Sequence, residues 1–141
     1  MSKLTAGEAY AEAVRRIKAW QPGEALDLAI EGLIEIPECI GEINPTELFL
    51  TVIDSKPLQI RSARRVSDLS PLSGLTALQR LDCTNTRVSD LSPLSGLTAL
   101  QRLDCLGTRV SDLSPLSGLT ALQRLDCLGT RVSDLSPLSG L

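Results

Sequence analysis

Cysteine and histidine supply much of the metal-binding and nucleophilic chemistry of proteins, and this sequence has four cysteines and no histidine. The cysteines are Cys39, Cys83, Cys105 and Cys127, and the last three are spaced 22 residues apart. Zinc sites usually need C-x-x-C spacing or histidine partners, and the sequence contains neither. We therefore predict that the repeated cysteines are free and buried in the core, as small apolar residues. No metal and no cofactor is expected.

Catalytic motifs are also missing from the sequence. It contains no G-x-x-x-x-G-K-[ST], no G-x-S-x-G and no H-E-x-x-H. The Asp and Ser residues of the segment VSDLSP recur in every repeat, whereas an active site needs one unique set of residues. We predict that the chain is not an enzyme.

One 22-residue segment organises the chain, because it is written three times, at residues 75–96, 97–118 and 119–140. The second and third copies are identical, and the first differs only at Thr84 and Asn85, where the later copies have Leu and Gly. A fixed short period predicts a solenoid, in which each coil buries its apolar side against its neighbours.

The first half of each segment has the pattern of a short strand. Leu81 and Cys83 alternate with Arg80 and Asp82, which predicts that the apolar pair points inward and the charged pair outward. Stacked coils would place such strands side by side in a parallel sheet.

The second half of each segment has the spacing of a tight helical turn. Leu91, Leu94 and Leu97 recur every three residues, which is typical of a 3₁₀ helix. We predict that Ser92 caps this turn, before a proline at its first position, and that Gly96 closes it in the left-handed conformation.

The sequence from Leu78 reads LQRLDCTNTRV, which resembles the leucine-rich repeat signature, and DLSPLSGLT resembles the 22-residue class found in internalins and in a nuclear phosphatase regulator. The resemblance covers residues 66–141. It implies an α/β solenoid with a parallel concave sheet and 3₁₀ turns on the convex side. The family usually has Asn in the turn after the strand, where this chain has Thr86, Thr108 and Thr130, so we expect a thinner hydrogen-bond ladder there.

An N-terminal region, residues 1–23, is predicted to be a capping helix. Thr5 and Glu8 have the spacing of a capping box, and a helix is expected over residues 8–20. Apolar residues at helical spacing form its predicted inner face: Tyr10, Ala13, Val14, Ile17 and Trp20. We expect this helix to cover the first coil, and the alternative is a helix that docks on a partner.

Residues 24–65 are predicted to form divergent coils with an insertion, before the regular repeats of residues 66–141. Strands are expected at residues 26–28 and 48–53. Leu48 and Leu81 are 33 residues apart, half a period too many, so extra chain must loop out between Asp54 and Arg65. Leu58 and Ile60 suggest a further short strand within it.

The outward strand positions form columns across the coils, and they are our candidate protein-binding residues. The basic column consists of Arg80, Arg102 and Arg124, and the acidic column of Asp82, Asp104 and Asp126. The third column begins with the polar Thr84 and continues with the apolar Leu106 and Leu128. Such a lattice first suggests solubility and support of the coil register, and second a recognition surface.

The charge and the aromatic content of the chain restrict the classes of partner that it could bind. The net charge is −3, and Tyr10, Trp20 and Phe49 are the three aromatic residues, which argues against nucleic-acid binding. No apolar run has the length of a membrane span, and no signal peptide is evident, so we expect a cytoplasmic protein that does not bind membranes. Disulfides between neighbouring coils are the alternative for the repeated cysteines, and a reducing compartment disfavours them.

Three functions fit this sequence. The first is a protein-interaction module whose concave sheet binds a protein partner. The opening AYAEAVRRIKAWQPGEALDLAIEGLIEIPECIGEI also resembles the N-terminal repeat region of bacterial Roco-type proteins, which implies a regulatory segment of a larger GTPase. The third is a designed or truncated repeat chain without its own function.

The last coil is expected to expose apolar side chains. Leu122, Leu125, Leu135 and Leu138 would border an open apolar cross-section, and the final strand would be an edge with unpaired backbone groups. We expect either a longer natural protein or self-association through this coil.

Overall fold

Seven short strands lie within residues 4–55 and 58–141, and in the parallel ones an inward leucine alternates with outward charged or aromatic residues. They are β1 (Leu26–Asp27), β2 (Glu47–Phe49), β3 (Thr51–Ser55), β4 (Leu58–Ser62), β5 (Arg80–Asp82), β6 (Arg102–Asp104) and β7 (Arg124–Asp126). Five of them make a parallel sheet in the order β1-β2-β5-β6-β7. The structure is a computed structural model, and it describes residues 4–55 and 58–141.

The register of this sheet follows the inward leucines. Leu26 pairs with Leu48, Leu48 with Leu81, Leu81 with Leu103, and Leu103 with Leu125. The first four of these side chains are at most 2% exposed and belong to one continuous core. The predicted α/β solenoid of leucine-rich coils is confirmed.

A 3₁₀ turn lies opposite each regular strand. These turns span Glu38–Glu42, Ser70–Leu72, Ser92–Leu94, Ser114–Leu116 and Ser136–Leu138. The prediction that the Ser92 side chain caps its turn is wrong, because the Ser92 backbone N–H instead donates to Asp90 Oδ1 at 2.9 Å. The carboxylate reaches back over two residues and satisfies a donor that the turn leaves free. Hydrogen bonds from the Ser92 hydroxyl and backbone lower the pKa of Asp90.

The left-handed backbone position is also not at Gly96. The 3₁₀ turn ends at Ser95 with φ −61°, and the chain continues into another turn in which Leu97 N–H donates to Leu94 O. In the regular repeats, positive φ occurs instead just after the strands, at Asn85 (60°), Gly107 (66°) and Gly129 (74°).

Threonine replaces the usual asparagine in that same turn, and it bonds within its own coil. Thr86 Oγ1 donates to Cys83 O at 2.7 Å, and Thr108 repeats this bond to Cys105 O. The link to the neighbouring coil comes from the backbone, where Arg109 N–H donates to Val88 O at 2.9 Å. The Thr86 and Thr108 hydroxyls therefore bond within their own coils, and the thinner ladder stays a prediction.

Helix α1 (Ala6–Ala19) packs on β1 and the first 3₁₀ turn, which confirms the predicted cap. Glu8 N–H donates to Thr5 Oγ1, and Thr5 N–H donates to Glu8 Oε1, so the capping box is present. The buried face differs from the predicted one. It consists of Ala9, Ala13 and Ile17, whereas Tyr10 is 37% exposed and Val14 and Trp20 are half-buried. The small alanines allow the helix to approach the coil closely.

Strands β3 and β4 form an antiparallel hairpin that replaces the turn after β2. Thr51 pairs with Ser62 and Ile53 with Ile60, and the chain rejoins the coil where Ala63 N–H donates to Leu50 O. The strand suggested at Leu58 and Ile60 is confirmed, whereas most of the expected loop is regular structure. The predicted strand at residues 48–53 divides at Leu50 between two sheets. The loop predicted at Lys56 and Pro57 lies outside the described residues.

Candidate functional site

The concave face of the sheet carries the candidate residues in three columns. Outward side chains two residues apart lie about 6.7 Å apart along a strand, and neighbouring strands are separated by about 4.8 Å. The registers place Glu47 before Arg80 in the basic column and Phe49 before Asp82 in the acidic column. If the same register is continued by two residues, Thr51 precedes Thr84 in the third column.

Asp104 is the buried centre of the charged lattice, with 4% of the residue exposed. Arg102 Nε donates to its Oδ2 at 2.9 Å, and Arg80 Nη2 lies 3.7 Å from the same atom. The Arg80–Asp104 pair is the diagonal contact expected from the columns. A buried carboxylate needs such partners, because an unpaired charge would lose its hydration.

Arg80 lies between several groups and is only partly satisfied by them. Its guanidinium carbon is 4.8 Å from the centroid of the Phe49 ring, and Nη1 is 3.9 Å from Glu47 Oε2. Its Nε atom is buried, and no hydrogen-bond acceptor in the described part of the chain reaches it. Arg80 is therefore held in place while it keeps an unused donor.

The remaining charged candidates are more open to solvent. Asp82 Oδ1 accepts from Thr84 N–H at 3.0 Å, and Asp126 Oδ1 accepts from Leu128 N–H at 3.3 Å. Arg124 is exposed and makes no ion pair with any residue in the ranges 4–55 and 58–141.

The hairpin forms a wall beside this floor. Thr51 Oγ1 donates to the backbone carbonyl of Thr84 in the next coil and contacts Ser62 Oγ at 3.2 Å, so the base of the hairpin is fixed to the sheet. Its other side is fixed by Asp27, because Arg61 Nη2 lies 2.9 Å from Asp27 Oδ2.

Asp27 also binds the capping helix. Arg16 Nη1 lies 3.3 Å from Asp27 Oδ1 and 3.1 Å from the Asp27 carbonyl oxygen. One carboxylate therefore connects helix α1, the first strand and the hairpin.

Floor and wall enclose an open groove of about 640 Å³. It brings together seven of the nine predicted residues, namely Arg80, Asp82, Thr84, Arg102, Asp104, Leu106 and Asp126. Arg124 lies farther along the basic column, in a second depression with Gln79, Gln101 and Gln123. Leu128 lies outside both, is 74% exposed and borders a depression at the last coil with Val132 and Leu135.

The residues that form the wall were not predicted from the sequence. They are Thr51, Val52 and Ile53, and the floor adds the unpredicted Asp27 and Phe49. The excess spacing between Leu48 and Leu81 was the available signal, since it showed that additional chain had to leave the coil beside the concave face.

Two further observations concern the described part of the chain. Within residues 4–55 and 58–141, no cluster of three or more His, Cys, Asp or Glu side chains has the arrangement of a metal site. In the same ranges, no helix combines the length and apolar character needed to cross a membrane.

Comparison with known proteins agrees with the geometry. A profile described as leucine-rich repeats in two copies matches residues 98–140. The chain has a leucine-rich repeat fold. The structure of internalin C2 from Listeria monocytogenes is similar, with 31% identity over 84% of this chain and a TM-score of 0.70. Internalin F from the same organism shows 30% identity over 72% of this chain and a TM-score of 0.55.

The leucine-rich chain spans 47% of the internalin C2 chain and 33% of the internalin F chain. A plant peptide hormone receptor, RGFR1, solved in complex with RGF2, shares the fold at 19% identity, with a TM-score of 0.52 over 76% of this chain and 21% of that one. No curated protein sequence matches this chain significantly.

Proposed function

We propose that this chain is a protein-interaction module that binds a protein partner on its concave face, in the groove between the sheet and the hairpin. The observation that carries the proposal is the exposure of Ile53 (65%) beside Leu106 and above two columns of charged side chains. A concave surface with apolar and charged groups side by side has the composition of a specific protein interface. The plant receptor RGFR1, which shares the fold, was solved in complex with RGF2.

Variants that leave the core untouched test this proposal. Arg124→Glu reverses an exposed charge on the concave face, in the depression that shares Arg80 and Arg102 with the groove, and Arg109→Glu makes the same change at an exposed position outside both. A partner captured from the source cell is identified, purified and titrated against each chain. We expect Arg124→Glu to weaken binding about tenfold, and Arg109→Glu to leave it within about twofold. Equal affinity for the two variants would contradict concave-face binding.

We further propose that the module is not an enzyme, because its sequence has no histidine and no catalytic motif. We also propose that it acts in the cytoplasm, because its cysteines are free. The Roco-type resemblance stays a prediction, and it would make the same surface the regulatory segment of a larger GTPase. A designed or truncated chain stays the third interpretation. Discovery of the natural reading frame, with or without a P-loop domain, distinguishes these interpretations.

Self-association through the last coil is a second proposal. Leu128 and Leu135 are 74% and 59% exposed, whereas Leu106 is half-buried and Leu113 is 1% exposed in the coil before. Because helix α1 covers the first coil, a copy would have to pair last coil to last coil, with two-fold symmetry. We expect light scattering to show mass increasing with concentration, and Leu135→Asp to abolish the increase. A constant monomer mass would contradict it.

A further inference from the structure

The hairpin turns one specific face toward the later coils. Directly opposite residues of an antiparallel pair project to the same side, as do residues two apart on one strand. Thr51, Ser62, Ile53 and Ile60 therefore share a face, and Thr51 binds the carbonyl of Thr84. The two polar residues at the base are buried, whereas Ile53 and Ile60 are 65% and 53% exposed.

An apolar column continues from this isoleucine pair along the sheet. Thr84 lies against the base of the hairpin, and the two later coils place leucine at the same position, at Leu106 and Leu128. We name Ile53, Ile60 and Leu106 the apolar shelf. Ile53 and Leu106 line the groove at the C-terminal ends of the strands, and Ile60 pairs with Ile53.

Each later coil therefore presents three kinds of side chain in a constant order. Along β6 and just after it, the outward residues are Arg102, Asp104 and Leu106, and the next coil repeats this order. Arg102 and Asp104 are about 6.7 Å apart because they belong to extended backbone, and Leu106 follows at the start of the turn. An extended segment lying along the strand has the same spacing, whereas a helix advances about 6.0 Å every four residues and would lose the match.

The charged columns have unused hydrogen-bonding groups. Arg80 Nε is buried without an acceptor, and Arg124 is without an ion pair, within the residues that the structure describes. Asp126 uses Oδ1 to accept from Leu128 N–H. A bound carboxylate would pair with the exposed guanidinium of Arg124, and a bound cation would approach the outer oxygen of Asp126.

We propose that the groove binds an extended segment of a partner protein with an acidic, a basic and a large apolar residue at alternating positions. The segment lies alongside the strands, its carboxylate on the arginine column, its cation on the aspartate column and its apolar side chain between Ile53 and Leu106. This inference rests on the proposed protein-binding function and names the chemistry of the partner.

A displayed library of random seven-residue peptides, selected on the full chain, tests the proposal. We expect enriched peptides to contain Asp or Glu, then Lys or Arg, then Leu, Ile or Phe, each separated by one residue, in either chain direction. Selection on the Arg124→Glu chain is expected to enrich a basic residue where the acidic one was. Enrichment of a different pattern, or of none, would overturn the proposal.

The strongest enriched peptide is then synthesised and titrated against variants of the shelf. Ile53→Asp is expected to weaken binding at least about tenfold. The matched control is Ile34→Asp, because Ile34 is 41% exposed beside helix α1, away from the groove. We expect the control to stay within about twofold.

Three results separate this inference from the proposed function. Loss of binding in Arg124→Glu without loss in Ile53→Asp would keep concave-face binding and overturn the role of the shelf. Peptide binding that depends on neither residue would overturn both. A dimer of the free chain that dissociates on Ile53→Asp substitution would show that a second copy occupies the shelf, which also overturns the proposal.

Discussion

The side chain of Asn85 occupies the place that a side chain at Gly107 would need. A Cβ atom built on Gly107 would lie 2.8 Å from Asn85 Oδ1, so one of the two groups would have to move. Both residues have positive φ, at 60° and 66°, and they occupy equivalent turns of neighbouring coils. Asparagine tolerates this conformation better than most residues, and glycine at the equivalent turn of the next coil leaves room for the Asn85 side chain. The glycine of the second repeat therefore has a steric reason, whereas a Cβ at Gly129 would lie at an ordinary 3.5 Å from Gly107 N.

Substitution of Gly107 tests this relationship. We expect Gly107→Ala to lower the free energy of unfolding by about 1–2 kcal/mol, because alanine is strained at φ 66° and its Cβ would contact Asn85. Urea denaturation followed by circular dichroism measures the change. The control is Gly118→Ala, where no atom lies within 4 Å and φ is not positive, and where a change within about 0.5 kcal/mol is expected. Equal effects at the two positions would contradict the steric explanation.

Two leucines in identical local sequence test the contribution of neighbouring coils. Leu103 is completely buried, whereas Leu125 at the equivalent position is half-buried. We expect Leu103→Ala to cost about 3–4 kcal/mol and Leu125→Ala about 1–2 kcal/mol, since removed methyl groups cost most in a closed core. Denaturation of the two variants measures the difference. If Leu125→Ala cost as much as Leu103→Ala, the last coil would be packed as tightly as the inner ones.

The cysteines should differ in reactivity along the stack. Cys83 and Cys105 are buried, whereas Cys127 is half-buried, which corrects the prediction that all three are buried. Burial raises the pKa of the Cys83 thiol and raises the pKa of Cys105 to about 12, so neither forms the reactive thiolate at neutral pH. We expect iodoacetamide to label Cys127 well before Cys83 and Cys105 in peptide-resolved mass spectrometry. Uniform labelling in urea is the control, and rapid labelling of Cys105 in the native chain would contradict the prediction.

The aspartates that cap the 3₁₀ turns predict a loss of stability in acid. Hydrogen bonds from the side chain and backbone of Ser92 and Ser114 lower the pKa values of Asp90 and Asp112. A pKa that is lower in the folded state adds stability above the unfolded value, and this stability is lost as pH falls below about 4. An asparagine at either position would keep an oxygen that accepts the hydrogen bond, but its side chain does not titrate.

We therefore expect the Asp90→Asn/Asp112→Asn variant to lose less stability than the parent between about pH 5 and pH 2.5, by urea denaturation at each pH. The matched control replaces two exposed carboxylates outside the 3₁₀ turns, Glu31→Gln/Glu35→Gln, and should follow the parent. Parallel curves for the parent and the Asn variant would show that these caps do not contribute.

Much of the repeat structure was predictable because it depends on local patterns. Inward Leu81 and Cys83 follow from alternation, and the 3₁₀ turns follow from leucines spaced by three. The errors lie where two residues compete for one role. Both Ser92 and Asp90 are capping types, and the carboxylate wins because it reaches the free N–H from two residues before.

The site was less predictable, because its wall depends on contacts between distant residues. Leu58 and Ile60 suggested a strand, but their partner strand begins at Thr51, which binds Thr84 in another coil, 33 residues later. No local pattern encodes that contact. The helix face was misassigned for a related reason, since Ala9 becomes buried only through close packing on the first coil, while the larger Tyr10 remains at the edge.

The hairpin has a further consequence for a chain whose later coils are identical. A surface with translational symmetry is degenerate: a ligand that matches one coil gains the same free energy one coil farther along and would diffuse between the two positions. The coil of β5 differs from the others, because its Thr84 carbonyl is bound by Thr51. A ligand that contacts both this coil and the hairpin therefore binds at one position along the stack. Each 1.4 kcal/mol of hairpin contact raises its occupancy of that position about tenfold over the position one coil farther along.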